Sequence, residues 1–275
     1  MGDGLKKDNM FIYGTAWKKE RTAELVRLAL HCGFRAVDTA NQPKHYHEAG
    51  VGEGLKDFLS REKRESLFVQ TKFTSVDGQD SRIPYDAAAD LTTQVSQSFK
   101  SSLEHLGVSY LDSYLLHGPY DHPGLGEEDW QVWSALSDIY KSHGAKKIGI
   151  SNVNIHQLKM LVEGAEIPPM VVQNRCYANR GWDREVREYC RSRQIQYQGF
   201  SLLTANPQTV FGEKVLALSY QFHCAPEQVI FKFAELVGIT PLTGTSQESH
   251  MKLDLASKDI RLTDQEAAAI LEGTG

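Results

Sequence analysis

The sequence predicts one (β/α)8 barrel, an α/β TIM-barrel fold, that uses the whole chain of 275 residues as a single domain, 1–275. Two observations predict it. Eight short apolar runs alternate with segments of helical periodicity, which is typical of a parallel sheet closed into a barrel. No GxGxxG motif follows any of these runs, which argues against a Rossmann domain. No linker separates the chain into two parts.

Each strand is predicted where a short apolar run ends at glycine, proline or a polar residue, and each helix where apolar residues recur at i, i+3 and i+4. The seventh and eighth units each carry two helices. In order, the strands and their helices are 10–13 with 20–31, 36–38 with 48–59, 67–72 with 91–106, 112–117 with 128–142, 147–152 with 154–162, 170–174 with 184–193, 196–201 with 215–220 and 227–236, and 238–242 with the stretch from 246 and with 264–271.

The composition predicts an ordinary soluble protein, because 41% of the residues are hydrophobic and 24% are charged. The net charge is −5, and lysine and arginine are dispersed, so no basic surface for nucleic acid is expected. No apolar run approaches membrane-spanning length, and residues 1–8 lack the apolar core of a signal peptide, so a cytoplasmic location is predicted. The four cysteines lack CxxC or zinc spacing, which favours reduced thiols: Cys32, Cys176, Cys190 and Cys224.

Polar and charged side chains end several of the predicted strands. Asp38, Lys72 and His117 end the second, third and fourth strands, and Tyr46 lies in the loop after Asp38. Because the carboxyl ends of barrel strands meet at one mouth, these four side chains are expected to converge there. An isolated Asp38 would equally suit a helix cap or an ion pair, but matching strand ends favour a shared site.

Such a set suits proton delivery to a carbonyl oxygen. A free phenol has a pKa near 10 and is a poor acid at neutral pH, so the Lys72 ammonium is expected to lower the pKa of Tyr46. A shift of about two or three units corresponds to roughly 3 to 4 kcal/mol of interaction. Asp38 is expected to pair with Lys72, and His117 to hydrogen-bond the substrate oxygen or share its proton. Hydride would then reach the carbonyl carbon from the opposite side.

Five stretches of the sequence resemble the aldo-keto reductase superfamily in family order, and the resemblance covers essentially the whole chain. They are 14–18, 33–40, 67–72, 112–119 and 148–152. The resemblance implies an enzyme with a Tyr/Lys/His/Asp tetrad and a nicotinamide cofactor that lies extended across the barrel mouth. It implies a small-molecule carbonyl substrate, and we expect no nucleic-acid or membrane partner and a monomer or weak dimer.

The resemblance also implies the residues that bind the cofactor and the substrate. Ser151, Asn152 and Gln173 correspond to residues that hold the nicotinamide carboxamide, and Phe200 corresponds to an aromatic residue that stacks on the ring. The other cofactor contacts are expected at Thr15, Ser201, Leu203, Thr243, Gly244, Thr245 and Glu248. The substrate contacts are expected at Trp17, His45 and Phe73.

The loop after Asp38 is longer than the family pattern. When residues are counted back from Glu48 or Gly52, His45 rather than Tyr46 occupies the position of the general acid. We predict Tyr46, because a phenol suits a lysine partner better and a longer loop can shift by one residue. His45 is the alternative.

The segment 241–248 departs from the family's Ile-Pro-Lys-Ser pattern. Leu242 and Glu248 stand where cations usually hold the 2′-phosphate of NADPH. A carboxylate repels phosphate but accepts a hydrogen bond from a free ribose hydroxyl, so NADPH is predicted with NADH as the alternative. His250 and Lys252 would add positive charge. The chain ends soon after its last helix, and Gly118 replaces a bulky residue, so an open pocket is expected.

Three functions are compatible with these residues. The predicted one is an NAD(P)H-dependent reductase of aldehydes and ketones that also oxidises alcohols. A second is a nicotinamide-binding sensor with little catalysis, since a fold does not dictate a function. A third, metal-dependent hydrolysis, uses His45 and His47 as a metal pair. No acidic ligand ends the eighth strand, so no metal site is predicted.

Overall fold

In the computed structural model, which describes residues 10–272, eight parallel strands close into a barrel in chain order, and helices follow the strands. The predicted (β/α)8 fold is therefore confirmed. The predictions made on residues 1–8 and on the end of the chain at Gly275 lie outside the described residues. The strands are β1 Ile12–Gly14, β2 Ala36–Asp38, β3 Phe68–Phe73, β4 Ser113–Leu116, β5 Ile148–Ser151, β6 Val171–Arg175, β7 Gln196–Phe200 and β8 Thr240–Thr243.

The helices form the outer layer, and every predicted helix is present with ends that move by a few residues. One short helix, the seventh, was not predicted. The helices are α1 Thr22–Cys32, α2 Glu48–Leu59, α3 Leu91–Leu106, α4 Glu127–Lys141, α5 Ile155–Gly164, α6 Arg184–Ser192, α7 Pro207–Val210, α8 Glu213–Phe222, α9 Pro226–Leu236, α10 Glu248–Ala256 and α11 Asp264–Glu272. Within residues 10–272, no helix combines the length and apolar character needed to cross a membrane.

The barrel interior has an apolar bottom and a polar upper layer. Successive residues of a strand point to opposite faces, so every second side chain enters the barrel. Ile12, Ala36, Phe68 and Leu242 form a small buried cluster of their own inside the barrel, separate from the large core between sheet and helices. Moving along β2 and β3 toward their carboxyl ends, the interior positions become polar. This change of composition places the site at the mouth.

Candidate active site

The upper layer of the barrel contains a buried ion pair. Asp38 is 2% exposed and Lys72 is fully buried. The Lys72 ammonium donates to Asp38 Oδ1 at 2.8 Å, to Asp38 Oδ2 at 2.7 Å and to the carbonyl oxygen of Thr39 at 2.8 Å. These three acceptors match the three hydrogens of an ammonium, so its donors are fully used. The cation is therefore fixed in position at the floor of the mouth.

Tyr46 and His117 lie beside this pair. Lys72 Nζ is 5.5 Å from the centre of the Tyr46 ring, and the rings of Tyr46 and His117 are 6.0 Å apart in an edge-to-face arrangement. The loop reaches this position through a turn in which the amide of Tyr46 donates to the carbonyl oxygen of Gln42 at 2.9 Å. The four side chains expected to converge therefore do converge.

The expected direction of the Tyr46 pKa shift is wrong. Burial raises the pKa of the Tyr46 phenol well above its ordinary value, and the nearby Asp38 carboxylate raises it further. The predicted lowering assumed a free ammonium, but Asp38 neutralises Lys72 and occupies two of its donors. Tyr46 is consequently a protonated phenol at neutral pH.

His117 is a neutral imidazole. Burial lowers its pKa to about 3, and the positive charge of Lys72 and then the proximity of His45 lower it as well. Its Nδ1 forms a hydrogen bond of 2.6 Å with the hydroxyl of Thr74, which orients the ring and leaves Nε2 as the other polar atom. The ring borders the main cavity, so it can exchange a hydrogen bond with a ligand oxygen there.

His45, the alternative proton donor, lies at the rim. The His45 ring packs against the indole of Trp17 with centroids 4.1 Å apart. The backbone amide of Trp17 donates to the carbonyl oxygen of His45 at 2.8 Å. Its Nδ1 is buried and has no hydrogen-bond partner among the described residues. Both side chains line the cavity, as expected of substrate contacts. Trp17 is 65% exposed, which leaves much of the indole open to solvent.

A cavity of about 840 Å3 at the mouth is lined by Tyr46 and His117 and also by residues of α10. Ser151, Asn152 and Gln173 form one wall near Tyr46. The Ser151 hydroxyl donates to the backbone carbonyl of Gln173 at 2.7 Å. The Asn152 side-chain amide donates to the backbone carbonyl of His117 at 2.8 Å. The cavity then passes predicted cofactor residues at the ends of β7 and β8: Phe200, Ser201, Leu203, Thr243, Gly244 and Thr245.

Three predicted contacts do not line this cavity. Phe73 is fully buried in the core, because it follows the inward-facing Lys72 and so points outward to the helices. Thr15 is also fully buried, and its hydroxyl donates to the carbonyl oxygen of Asp38 at 2.9 Å. Glu248 is absent from the cavity lining and pairs with Lys252 at 2.6 Å, one turn along α10. These three assignments are corrected accordingly.

The cavity contains charged residues that the sequence analysis missed. Arg175 lies at the end of β6 with its guanidinium carbon 5.3 Å from the centre of the Phe200 ring, and Lys18 donates to the carbonyl oxygen of Gly244. Strand alternation from Gln173 would have placed Arg175 on the same face.

At the far end, Glu227 and Asp254 contribute acidic groups next to His250. They come from α9 and α10, whose orientation the sequence did not define. A metal site is not assembled, since no three His, Cys, Asp or Glu side chains of residues 10–272 gather to hold an ion.

A closed parallel barrel with polar and charged side chains gathered at its carboxyl-end mouth has the architecture of a barrel enzyme. The family model of the aldo/keto reductase family matches residues 9–209. The chain therefore belongs to the aldo/keto reductase family and is an oxidoreductase.

Individual relatives agree with this assignment. The uncharacterized oxidoreductase YtbE of Bacillus subtilis is 31% identical over 244 residues, which cover 88% of this chain and 79% of that protein. Glyoxal reductase of Bacillus subtilis is 30% identical over 258 residues, with 87% and 84% covered. The crystal structure of a Bombyx mori aldo-keto reductase in complex with NADP has a TM-score of 0.80 at 22% identity and covers 96% of this chain and 88% of that one. The similarity to the Bombyx mori structure shows a shared fold.

Proposed function

We propose that this protein reduces aldehydes and ketones to alcohols with NADPH, and catalyses the reverse oxidation, with Tyr46 as the proton donor. The observation that carries the proposal is the arrangement of Tyr46 over the buried Lys72–Asp38 pair and beside His117, in the wall of a cavity of about 840 Å3. A cytoplasmic location is part of the proposal and is supported by the four free cysteines.

The proposed roles follow from the protonation states. Tyr46 is protonated at neutral pH, so a proton is present to be given to the carbonyl oxygen. The proposed role of Lys72 is electrostatic and acts through space, because its Nζ lies 5.5 Å from the centre of the phenol ring while its hydrogens are bonded to Asp38 and Thr39. Asp38 holds this ammonium, and neutral His117 hydrogen-bonds the substrate oxygen through Nε2. Together these groups hold the carbonyl and protonate it.

The cavity residues fit a nicotinamide cofactor, which supplies the hydride when bound. The amide and hydroxyl groups of Ser151, Asn152 and Gln173 suit a carboxamide, and Phe200 offers a ring face. NADP is the cofactor named for the Bombyx mori enzyme, which supports NADPH here. Lys18, which donates to Gly244, and His250 are basic side chains that line the cavity, whereas the acidic Asp254 suits ribose hydroxyls, so NADH remains the alternative cofactor.

The test is oxidation of NADPH or NADH, followed at 340 nm, with a panel of aldehydes and ketones that includes glyoxal. Tyr46→Phe removes the proton donor and is expected to lower kcat by about 10²-fold to 10⁴-fold. Tyr220→Phe is the matched control, because Tyr220 is 83% exposed on α8, and it is expected to retain wild-type rates.

Three results would change the assignment. Full activity in Tyr46→Phe together with an inactive His45→Phe would make His45 the acid. Tight nucleotide binding without turnover of any carbonyl would favour the sensor function. Absence of both binding and turnover in folded protein would refute the proposal.

A further inference from the structure

Three glutamines form a closed hydrogen-bond network inside the barrel. Gln70, Gln173 and Gln198 come from β3, β6 and β7 and are at most 3% exposed. Gln198 Oε1 accepts from Gln70 Nε2 at 2.8 Å and from Gln173 Nε2 at 2.9 Å, and Gln198 Nε2 donates to Gln70 Oε1 at 3.0 Å. Gln198 is thus the centre of the network.

The same amide nitrogens also reach the ion pair. Gln70 Nε2 donates to Asp38 Oδ1 at 2.7 Å, and Gln173 Nε2 donates to the same oxygen at 3.0 Å. A carboxylate only accepts hydrogen bonds, so both amides must turn their nitrogens toward Asp38. Each nitrogen carries two hydrogens, and one bonds Asp38 while the other bonds Gln198 Oε1. Both amide orientations are therefore set by two independent acceptors.

This orientation decides which atom of Gln173 faces the ligand. Its nitrogen is used on Asp38 and Gln198, so its amide oxygen is the group available to the cavity that Gln173 lines. An amide oxygen accepts from an N–H donor and not from a carbonyl.

We propose that Gln198 is a positioning residue that makes the site selective for a nicotinamide bearing a free carboxamide NH2. Gln198 does so by fixing the orientation of the Gln173 amide. The same amide nitrogen bonds Asp38, so the contact between Gln173 and the cofactor is linked to the Asp38–Lys72 pair. The inference rests on the proposed function, because it takes the ligand of Gln173 to be the cofactor. The side chain of Gln198 forms hydrogen bonds only with the two other glutamines of this network in the described part of the chain.

The test compares the dissociation constants of NADPH and its 3-acetylpyridine analogue, in which a methyl group replaces the amide nitrogen. Wild-type protein is expected to bind NADPH about tenfold more tightly, the equivalent of one lost hydrogen bond. Gln198→Met, which has similar volume and no hydrogen-bonding amide, is expected to lower this ratio, because the amide of Gln173 then loses one of its two acceptors and is held less rigidly. Gln198→Leu is a second variant with the same expected ratio, and circular dichroism checks that each variant is folded.

Two variants serve as controls. Gln196→Leu lies on the same strand and face, two residues earlier, where the amide contacts Lys147 and Thr240 instead, so it is expected to keep the wild-type ratio. Gln70→Leu leaves the bond between Gln198 and Gln173 in place, so it should also keep the ratio while kcat falls, because Asp38 loses a donor.

The outcomes separate the inference from the proposed function. A wild-type protein that binds neither nucleotide would refute the proposed function. A wild-type protein that binds both equally, or a folded Gln198→Met or Gln198→Leu that keeps the tenfold preference, would overturn the inference alone. A purely structural Gln198 would change the unfolding free energy in its variants and leave the ratio unchanged.

Discussion

At the far end of the cavity, the ionisation of one carboxyl group opposes folding. Asp254 is 4% exposed and accepts a hydrogen bond from Thr243 Oγ1 at 2.7 Å. Burial raises its pKa from 3.8 to about 6, and Glu227 adds to this, while the Thr243 bond and His250 partly oppose it. A folded pKa above the unfolded value means that the folded protein binds the proton more tightly. This group therefore reduces stability as the pH rises from about 4 to about 6.

We expect Asp254→Asn to remove this dependence. The shift corresponds to about 3 kcal/mol, so relative to wild type the variant should gain about that much unfolding free energy between pH 4 and pH 7. Urea denaturation at several pH values measures it. Asp57→Asn, at an exposed position of α2, is the matched control and should follow the wild-type curve. Parallel curves for Asp254→Asn and wild type would contradict the prediction.

At the residue scale, the sequence predicted which side chains meet but not their energies. Strand ends and alternation were enough to bring Asp38, Lys72 and His117 together, because they depend only on backbone periodicity. The pKa of Tyr46 depends on desolvation and on the partners that occupy Lys72, and neither is encoded in spacing. The same limit applies to the glutamine network, since it joins Gln70 of β3 to two glutamines of β6 and β7 that lie far along the chain.

Helices α2 and α3 pack unusually close where glycine allows it. A Cβ at Gly52 would lie 1.9 Å from the backbone carbonyl oxygen of His105. This contact supports the active-site loop, because α2 begins at Glu48, two residues after Tyr46, and Glu48 bonds both Thr71 at 2.5 Å and the His105 ring at 3.0 Å. The position of Tyr46 therefore depends on how closely these helices approach.

Gly52→Ala is expected to destabilise the protein by at least about 2 kcal/mol, because the helices must separate to admit the methyl group. It should also lower carbonyl reductase activity by displacing the loop. Gly118→Ala is the stability control, since the nearest atom to its Cβ would be 3.8 Å away, and it should change the unfolding free energy by less than about 1 kcal/mol. Equal unfolding midpoints for the two variants would show that the close approach of α2 and α3 does not affect the free energy of unfolding.

Helices were predicted correctly from the sequence wherever their apolar periodicity extended over several turns. The eleven residues of α1 and the sixteen of α3 show apolar spacing over several turns, so their type and place followed directly. The loop from 39 to 47 has no periodicity, and counting could not decide between His45 and Tyr46. Only the turn from Gln42 and the stacking of His45 on Trp17 place the two rings differently.

At the scale of the whole molecule, the cavity joins the two ends of the described chain. Its walls come from the loops after β1 and β8 as well as from the strands between them, and β1 pairs directly with β8 to close the barrel. A ligand that fills the cavity therefore contacts elements that only the closed barrel brings together. Binding to the folded state alone raises the free energy of unfolding of the entire domain.

NADPH is accordingly expected to raise the unfolding temperature. At 100 times its dissociation constant, a ligand that binds only the folded state adds about 2.7 kcal/mol, which for a protein of this size corresponds to a rise of roughly 5 to 10 °C. A thermal scan with increasing NADPH measures this shift, with adenosine, which lacks the nicotinamide and the phosphates, as a control. The same titration with NADH ranks the two cofactors. If neither nucleotide shifted the transition, the cavity would not be a dinucleotide site, because binding on this scale cannot leave the unfolding temperature unchanged.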